Sequence, residues 1–223
     1  MALLEIKNIS KSYNDVKILD NICLTLDSGE MYIIKGRSGC GKSTLLNICS
    51  FLENPDSGEL LFENILVGSL SNRERQTVLR NHIGYIFQDY NLFENFSVYE
   101  NLVVYLLTTT DKNNSQISKD INEKLELVGI ADKKNEKVKF LSGGERQRVA
   151  LARAFLTPKK IIFADEPSAN IDDNNIKIIK QCFDEMRKNG TSLLVVTHDN
   201  VFDDMADKIY NLERGILKCE SLK

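Results

Sequence analysis

Apolar and polar positions along the chain follow two periods, which divide it into stretches of strand and stretches of helix. Residues 2–10 (ALLEIKNIS) alternate in part and 17–27 (KILDNICLTLD) alternate more clearly, predicting two strands. GEMYIIKG, 29–36, is nearly continuous in apolar residues and bounded by glycines, the pattern of a buried strand feeding a loop. KSTLLNICSFL, 42–52, takes helical spacing, and SGELLFENILV, 57–67, returns to strand. Ser71 and Glu74 form a capping box for a helix through Arg80, and IGYIFQ, 83–88, is another buried strand.

The middle of the chain is helical in pattern. Ser97 and Glu100 form a second capping box ahead of VYENLVVYLL. A polar link, TTTDKNNSQ, leads to ISKDINEKLELVGI, where Ile117, Ile121, Leu125 and Val128 share one face. A third helix begins after Gly144 and stops at Pro158. Strands resume at KIIFAD and SLLVVTH, with the helix NIKIIKQCFDEMRK between them, and the short strand pair KIYNLERGILKC follows. Strand–helix alternation at both ends implies an α/β fold with a mostly parallel sheet. A single domain over 1–223 is expected. Residues 1–88 and 158–223 would form its core, with an antiparallel β part near the N-terminus, and 89–157 an inserted helical subdomain.

Composition narrows the function. The 223 residues are 42% hydrophobic and 27% charged, with a net charge of -3, so bulk electrostatics do not favour nucleic acid as the partner. No window reaches the roughly 18 apolar residues of a membrane span, and MALLEIKNISKSY is too polar for a signal peptide. Cys23, Cys40, Cys49, Cys182 and Cys219 form no C-x-x-C pair and read as reduced thiols of a cytosolic protein.

GRSGCGKST, 36–44, fits G-x-x-x-x-G-K-[ST] through Gly36, Gly41, Lys42 and Ser43, with a strand before it and a striped helix after it. That context marks a phosphate loop. Around Arg37, Ser38, Gly39, Cys40 and Thr44 the backbone curls so that N–H groups converge on phosphates. Lys42 adds a point charge, and the Ser43 hydroxyl is placed for Mg²⁺. Asp165 and Glu166 follow a buried strand, where such sheets bind ligands. Asp165 suits holding Mg²⁺, and Glu166 suits polarising a water. His198, after the next strand, can reach a γ-phosphate. Gln88, at the end of its strand, could ligate the metal, and Tyr13 could stack on an adenine ring. LSGGERQRVALARAF, 141–155, opens with Ser142, Gly143 and Gly144 at a helix start, an end that binds anions. Read alone, that stretch is equally an amphipathic helix with a flexible lead-in.

In this order the residues resemble, over nearly the whole chain, the nucleotide-binding subunit of an ATP-binding cassette (ABC) transporter. Tyr13 matches the adenine-stacking loop, GRSGCGKST the Walker A motif, Gln88 the Q-loop and LSGGERQR the signature. IIFADEP matches Walker B, SANID the D-loop and His198 the switch histidine. The resemblance implies a P-loop NTPase core that hydrolyses ATP with Mg²⁺. It implies that Lys42, Glu166 and His198 serve catalysis, and that Ser43, Gln88 and Asp165 serve the metal. It further implies a head-to-tail dimer in which Ser142, Gly143 and Gly144 of one subunit cap the nucleotide of the other, with Asp172 crossing the interface. The second anion cradle then serves a second molecule.

IGYIFQDYNLFENFSVYENL is similar to subunits of macrolide-export, lipoprotein-release and antimicrobial-peptide systems, which implies a peripheral subunit at the cytoplasmic face of the membrane, paired with a permease. The contact is expected around Asp89 to Phe96. There Tyr90, Leu92, Phe93 and Phe96 form either a partner site or internal packing. The D-loop has Ile171 where Leu commonly precedes the Asp. An alternative reading uses the same ATPase for signalling or cell-wall control without cargo. A soluble cassette of translation or DNA repair is disfavoured by the single cassette and mild acidity, and a non-hydrolysing regulator by the presence of Glu166 and His198.

Overall fold

A computed structural model describes residues 2–110, 112–169 and 171–220. Two sheets organise it. The smaller is antiparallel, in the order β2-β1-β4-β5, from β1 (Ala2–Tyr13), β2 (Val16–Asp27), β4 (Ser57–Phe62) and β5 (Ile65–Leu66). The larger runs β10-β9-β3-β8-β7-β6, from β3 (Met31–Lys35), β6 (Ile83–Ile86), β7 (Ile161–Asp165), β8 (Ser192–Thr197), β9 (Lys208–Glu213) and β10 (Ile216–Glu220). Its strands are parallel except β10, which pairs antiparallel with β9. The expected α/β fold with a mostly parallel sheet and an antiparallel N-terminal part is therefore what forms.

Continuous apolar runs bury the central strands on both faces: all of β7 and β8 is buried. The two-residue period of a strand then sorts their side chains into separate cores. Met31, Ile33, Ile162, Ala164, Leu193 and Val195 join the helices α3 (Val98–Thr109), α4 (Asn114–Leu127), α5 (Gly143–Phe155) and α6 (Asp173–Lys188). Their neighbours Tyr32, Ile34, Ile161, Phe163, Leu194 and Val196 face β1, β2, β4 and α1 (Lys42–Cys49). The predicted α4 face, Ile117, Ile121, Leu125 and Val128, is buried in the first of these cores.

Capping chemistry sets the helix starts. Ser71 caps α2 (Asn72–His82) and Ser97 caps α3, each in a full capping box with the glutamate three residues on. Asn113 and Gln116 do the same for α4, whose first residues lie inside the stretch expected to be a polar link.

Several boundaries differ from the pattern. The stretch 57–67 is not one strand: Glu63 and Asn64 take left-handed φ values of 50° and 64°, making a tight turn between β4 and β5. The apolar pattern continues across that turn and conceals it. The turn Asn14–Asp15, at φ 47° and 63°, likewise lets β1 run on to Tyr13 instead of stopping near residue 10. The first helix ends at Cys49 because Phe51 turns left-handed at φ 64°. Among the described residues no helix is long and apolar enough to cross a membrane.

Candidate functional site

The site forms at the carboxyl ends of β3, β7 and β8, where the parallel strands run out of partners and open a crevice. Between β3 and α1 the chain turns through residues 36–41. Gly41 holds φ 104° there, and a Cβ at that position would stand 2.8 Å from Ile18. Only a glycine allows both the conformation and the close approach. Gly41 is also the N-cap of α1 and has no side-chain cap, so the first N–H groups of the helix are left for a ligand.

Lys42 is 6% exposed, and its Nζ donates to the carbonyls of Gly36 at 2.8 Å and Arg37 at 3.3 Å. The same Nζ lies 3.3 Å from Glu166 Oε1. Glu166 Oε2 lies 2.9 Å from His198 Nδ1 and accepts the His198 backbone N–H at 3.2 Å. Glu166 itself sits at φ 45°, a left-handed conformation that non-glycine residues adopt at a cost, and its N–H is tied to Val196 O at 2.9 Å.

Asp165, the last residue of β7, is buried, and its Oδ1 has no hydrogen-bond partner. Burial pushes its carboxyl above the usual carboxylate range, partly offset by a hydrogen bond from Ser43 and by the Lys42 charge. A buried acceptor left unpaired beside a serine hydroxyl fits a hydrated cation. Magnesium binds through one or two carboxylates plus substrate phosphates. Among the described residues there is no cluster of three His, Cys, Asp or Glu that could hold a metal.

Residues 38–44, apart from Cys40, line one cleft of about 340 Å³, and Tyr13, Gln88, Glu166 and His198 line the same cleft. Gln88 stands two residues beyond the end of β6 rather than on the strand, because pairing with β7 stops at Ile86. Arg37 and Cys40 line a separate recess with Leu212, Glu213 and Arg214.

Ser142, Gly143 and Gly144 do not line this cleft. They form the start of α5. Ser142 is its N-cap, and its N–H and Oγ both donate to Glu145 Oε2, at 2.7 and 2.8 Å. The helix starts at Gly143, two residues earlier than the pattern suggested. Glu145 was legible as the fourth residue of S-x-x-E but is not among the residues singled out from the sequence. Asp172 caps α6, accepting from Asn175 N–H at 2.9 Å. Asn170, the middle of the D-loop match, lies outside the described residues.

Contacts with no local signal join these parts. Gln147 Nε2 of α5 donates to Pro167 O at 2.9 Å, next to Glu166. Arg153 donates to the carbonyls of Tyr90 and Asn91, at 2.7 and 2.5 Å, clamping the turn that follows Gln88. Of the candidate partner-site residues, Leu92 packs on the core, whereas Phe93 and Phe96 are exposed with ring centroids 5.3 Å apart.

Comparison with known proteins gives one answer. The family described as ABC transporter matches residues 19–169. The lipoprotein-releasing system ATP-binding protein LolD of Colwellia psychrerythraea is 36% identical over 97% of this chain and 85% of its own length. The macrolide export ATP-binding/permease protein MacB of Chlorobaculum tepidum is 33% identical over 96% of this chain, which spans 33% of that longer protein. Among solved structures, the dimeric post-hydrolysis state of the ATP-binding cassette MJ0796 bound to ADP and Pi superposes with a TM-score of 0.93, at 32% identity and 99% coverage of each chain. The chain therefore belongs to the ABC transporter family, as an ATP-hydrolysing cassette of the kind found in MacB and LolD.

Proposed function

We propose that this cassette is the ATPase subunit of a transporter of export or mechanotransmission type. Two copies would close head to tail over two Mg²⁺·ATP and drive a separate membrane permease from its cytoplasmic face. The observation that carries the reading is the split between two cradles. The phosphate loop faces Glu166 and His198 across one cleft, while Ser142, Gly143 and Gly144 sit outside it. LolD and MacB are by name parts of lipoprotein release and macrolide export, which supports the same assignment.

In this mechanism Tyr13 stacks on the base, and the N–H groups at the start of α1 receive the phosphates. Lys42 releases the carbonyls of Gly36 and Arg37 and turns its charge to the β- and γ-phosphates. Ser43, Gln88 and Asp165 would hold the magnesium, which would supply charge neutralisation at the phosphoryl oxygens. Glu166 is freed from Lys42 by the same movement and accepts a proton from the attacking water. His198, hydrogen-bonded to Glu166 in this structure, turns away from it and donates a ring N–H to the γ-phosphate. The transition-state charge is met by positioned cations and N–H donors without covalent chemistry. Residues 89–157 form the helical arm in this reading, and 1–88 with 158–223 the nucleotide-binding body.

The test is a pull-down of tagged Glu166→Gln protein from its native membranes, in mild detergent with ATP and Mg²⁺. Recovery of an integral membrane permease supports the assignment. A complex made only of soluble proteins overturns it.

A further inference from the structure

We infer that Glu53 is a positioning residue for the nucleotide base. It fixes the ring of Tyr13 and ties the hairpin that carries the ring to the helix that starts at the phosphate loop. The inference rests on the reading of Tyr13 as the base-stacking residue and deepens it.

Tyr13 stands in a poor place for a stacking platform. It is the last residue of β1, at the tip of a two-residue hairpin, and pairs with Val16. Tyr13 is 43% exposed and Val16 60%, so little apolar surface encloses the ring at the tip. A ring so placed turns freely about χ1 and χ2, and a base that stacks on it must first order it, which weakens binding.

One polar tether removes that freedom. The Tyr13 hydroxyl donates to Glu53 Oε1 at 2.5 Å. That hydrogen bond is the main reason the phenol is held above its ordinary pKa, so it stays a donor. With the backbone fixed at one end of the side chain and the hydroxyl at the other, the direction of the ring is set, and the preference of a phenol O–H for the plane of its ring biases the rotation about χ2. Glu53 is itself held. Lys11 Nζ lies 3.1 Å from its Oε1 and 3.2 Å from Asp56 Oδ1, and donates to Asn54 O at 2.9 Å. The same ammonium sits 5.4 Å from the Tyr13 ring centroid. Asp56 Oδ2 accepts the Ser12 N–H at 2.7 Å, stitching residues 53–56 along the end of β1.

The other end of the tether is α1. The Glu53 N–H donates to Asn47 O at 3.1 Å, and Asn47 lies on the helix whose first residue is Lys42. Base platform and phosphate cradle are thereby joined through one short loop, and their separation is fixed before a nucleotide arrives. Holding two subsites at one spacing is the condition for both to contribute to a single binding event.

The experiment is an equilibrium titration of the full chain in Mg²⁺ with ATP and, separately, with inorganic tripolyphosphate, which has no base. Loss of one partly exposed hydrogen bond corresponds to roughly a five- to tenfold change in affinity. Glu53→Ala and Tyr13→Phe are each expected to weaken ATP by about that factor and to leave tripolyphosphate unchanged. The double variant should be no weaker than either single one, since both remove the same tether. Glu53→Gln, whose amide oxygen still accepts from the hydroxyl, should recover most of the loss. Equal weakening of ATP and tripolyphosphate by Glu53→Ala would reduce Glu53 to a general structural residue and overturn the inference. Unchanged ATP affinity in Glu53→Ala, with ATP weakened in Tyr13→Ala, overturns it while leaving the stacking role of Tyr13 intact. If Tyr13→Ala keeps the ratio of the two affinities, the stacking role fails and the inference falls with it.

Discussion

Glu166 is held between two groups of its own chain, the Lys42 ammonium at 3.3 Å and the His198 ring at 2.9 Å, on a backbone bent to φ 45°. A strained, doubly held carboxylate at a ligand cleft is the signature of a group kept for chemistry rather than for stability. On the proposed mechanism Glu166→Gln keeps the shape and loses the base. It should bind ATP and lower turnover by about 10²- to 10⁴-fold, the usual contribution of a general base. Phosphate release measured beside ATP binding checks this, and wild-type turnover in the variant would remove Glu166 from the mechanism. Lys159 gives a stability test at the same scale. It is buried, its Nζ donates to Arg80 O, and burial pushes its ammonium down to about 8 from 10.5. A base with a lowered folded-state pKa is charged more readily in the unfolded chain, so the unfolded state binds more protons between about 8 and 10.5. The Lys159 contribution therefore rises with pH across that window. Other groups titrate there too, so the measurement is the difference in unfolding free energy between wild type and Lys159→Met. The advantage of the Met variant should be greatest below about pH 8 and shrink as pH rises towards 10.5. A difference independent of pH would show that Lys159 titrates normally.

Among the helices, α5 carries a strict demand. A Cβ on Gly144 would stand 2.5 Å from Asn175 Nδ2. That side chain cannot swing aside, because Asp172 Oδ2 accepts from its Nδ2 at 3.0 Å and Arg148 Nε donates to its Oδ1 at 2.8 Å. Gly144→Ala should then cost about 1–3 kcal/mol, the range for forced overpacking. Adding Asn175→Ala should return part of it, and denaturant unfolding of the two variants checks both statements. An unchanged midpoint in Gly144→Ala would mean that α5 and α6 separate at no cost. This contact also marks what the sequence can disclose. The phosphate loop, the capping boxes and the buried runs of β3, β7 and β8 are written in neighbouring residues, and so were legible. Ser142 and Glu145 are also legible, at the S-x-x-E spacing of a capping box, although the two glycines between them equally suit an anion site. The contacts Gly144–Asn175, Arg153–Tyr90 and Tyr13–Glu53 join positions far apart in the chain, and neither period nor propensity encodes them. The turn at Glu63–Asn64 was hidden for the opposite reason, since the strand-like pattern runs unbroken through it.

At the scale of the whole molecule, the large sheet separates two cores, and α3, α4 and α5 belong to the same core as α6. Movement at the nucleotide cleft can reach the helices through two polar links, Gln147 to Pro167 and Arg153 to the turn after Gln88. That turn leads directly to Phe93 and Phe96, which are 56% and 42% exposed and lie against each other with their rings tilted, beside a recess lined by Leu92, Val104 and Tyr105. An exposed aromatic pair at the end of a polar link from the catalytic cleft is suited to pass motion to a partner. Burying such an anchor in an interface is commonly worth about 2 kcal/mol or more, and replacing it with a charge adds a desolvation cost. If the proposed permease docks there, Phe93→Asp should abolish co-purification with it in detergent. It should leave ATP binding by the isolated subunit intact, because Phe93 lies outside the nucleotide cleft and makes little of the core. Leu92→Asp serves as the contrasting variant. Its side chain packs on the core, so it should lower the unfolding temperature as well as the yield of complex. Wild-type recovery of the permease with Phe93→Asp would place the docking surface elsewhere on the helical arm. Loss of ATP binding in that variant would mean that the aromatic pair supports the cleft rather than a partner.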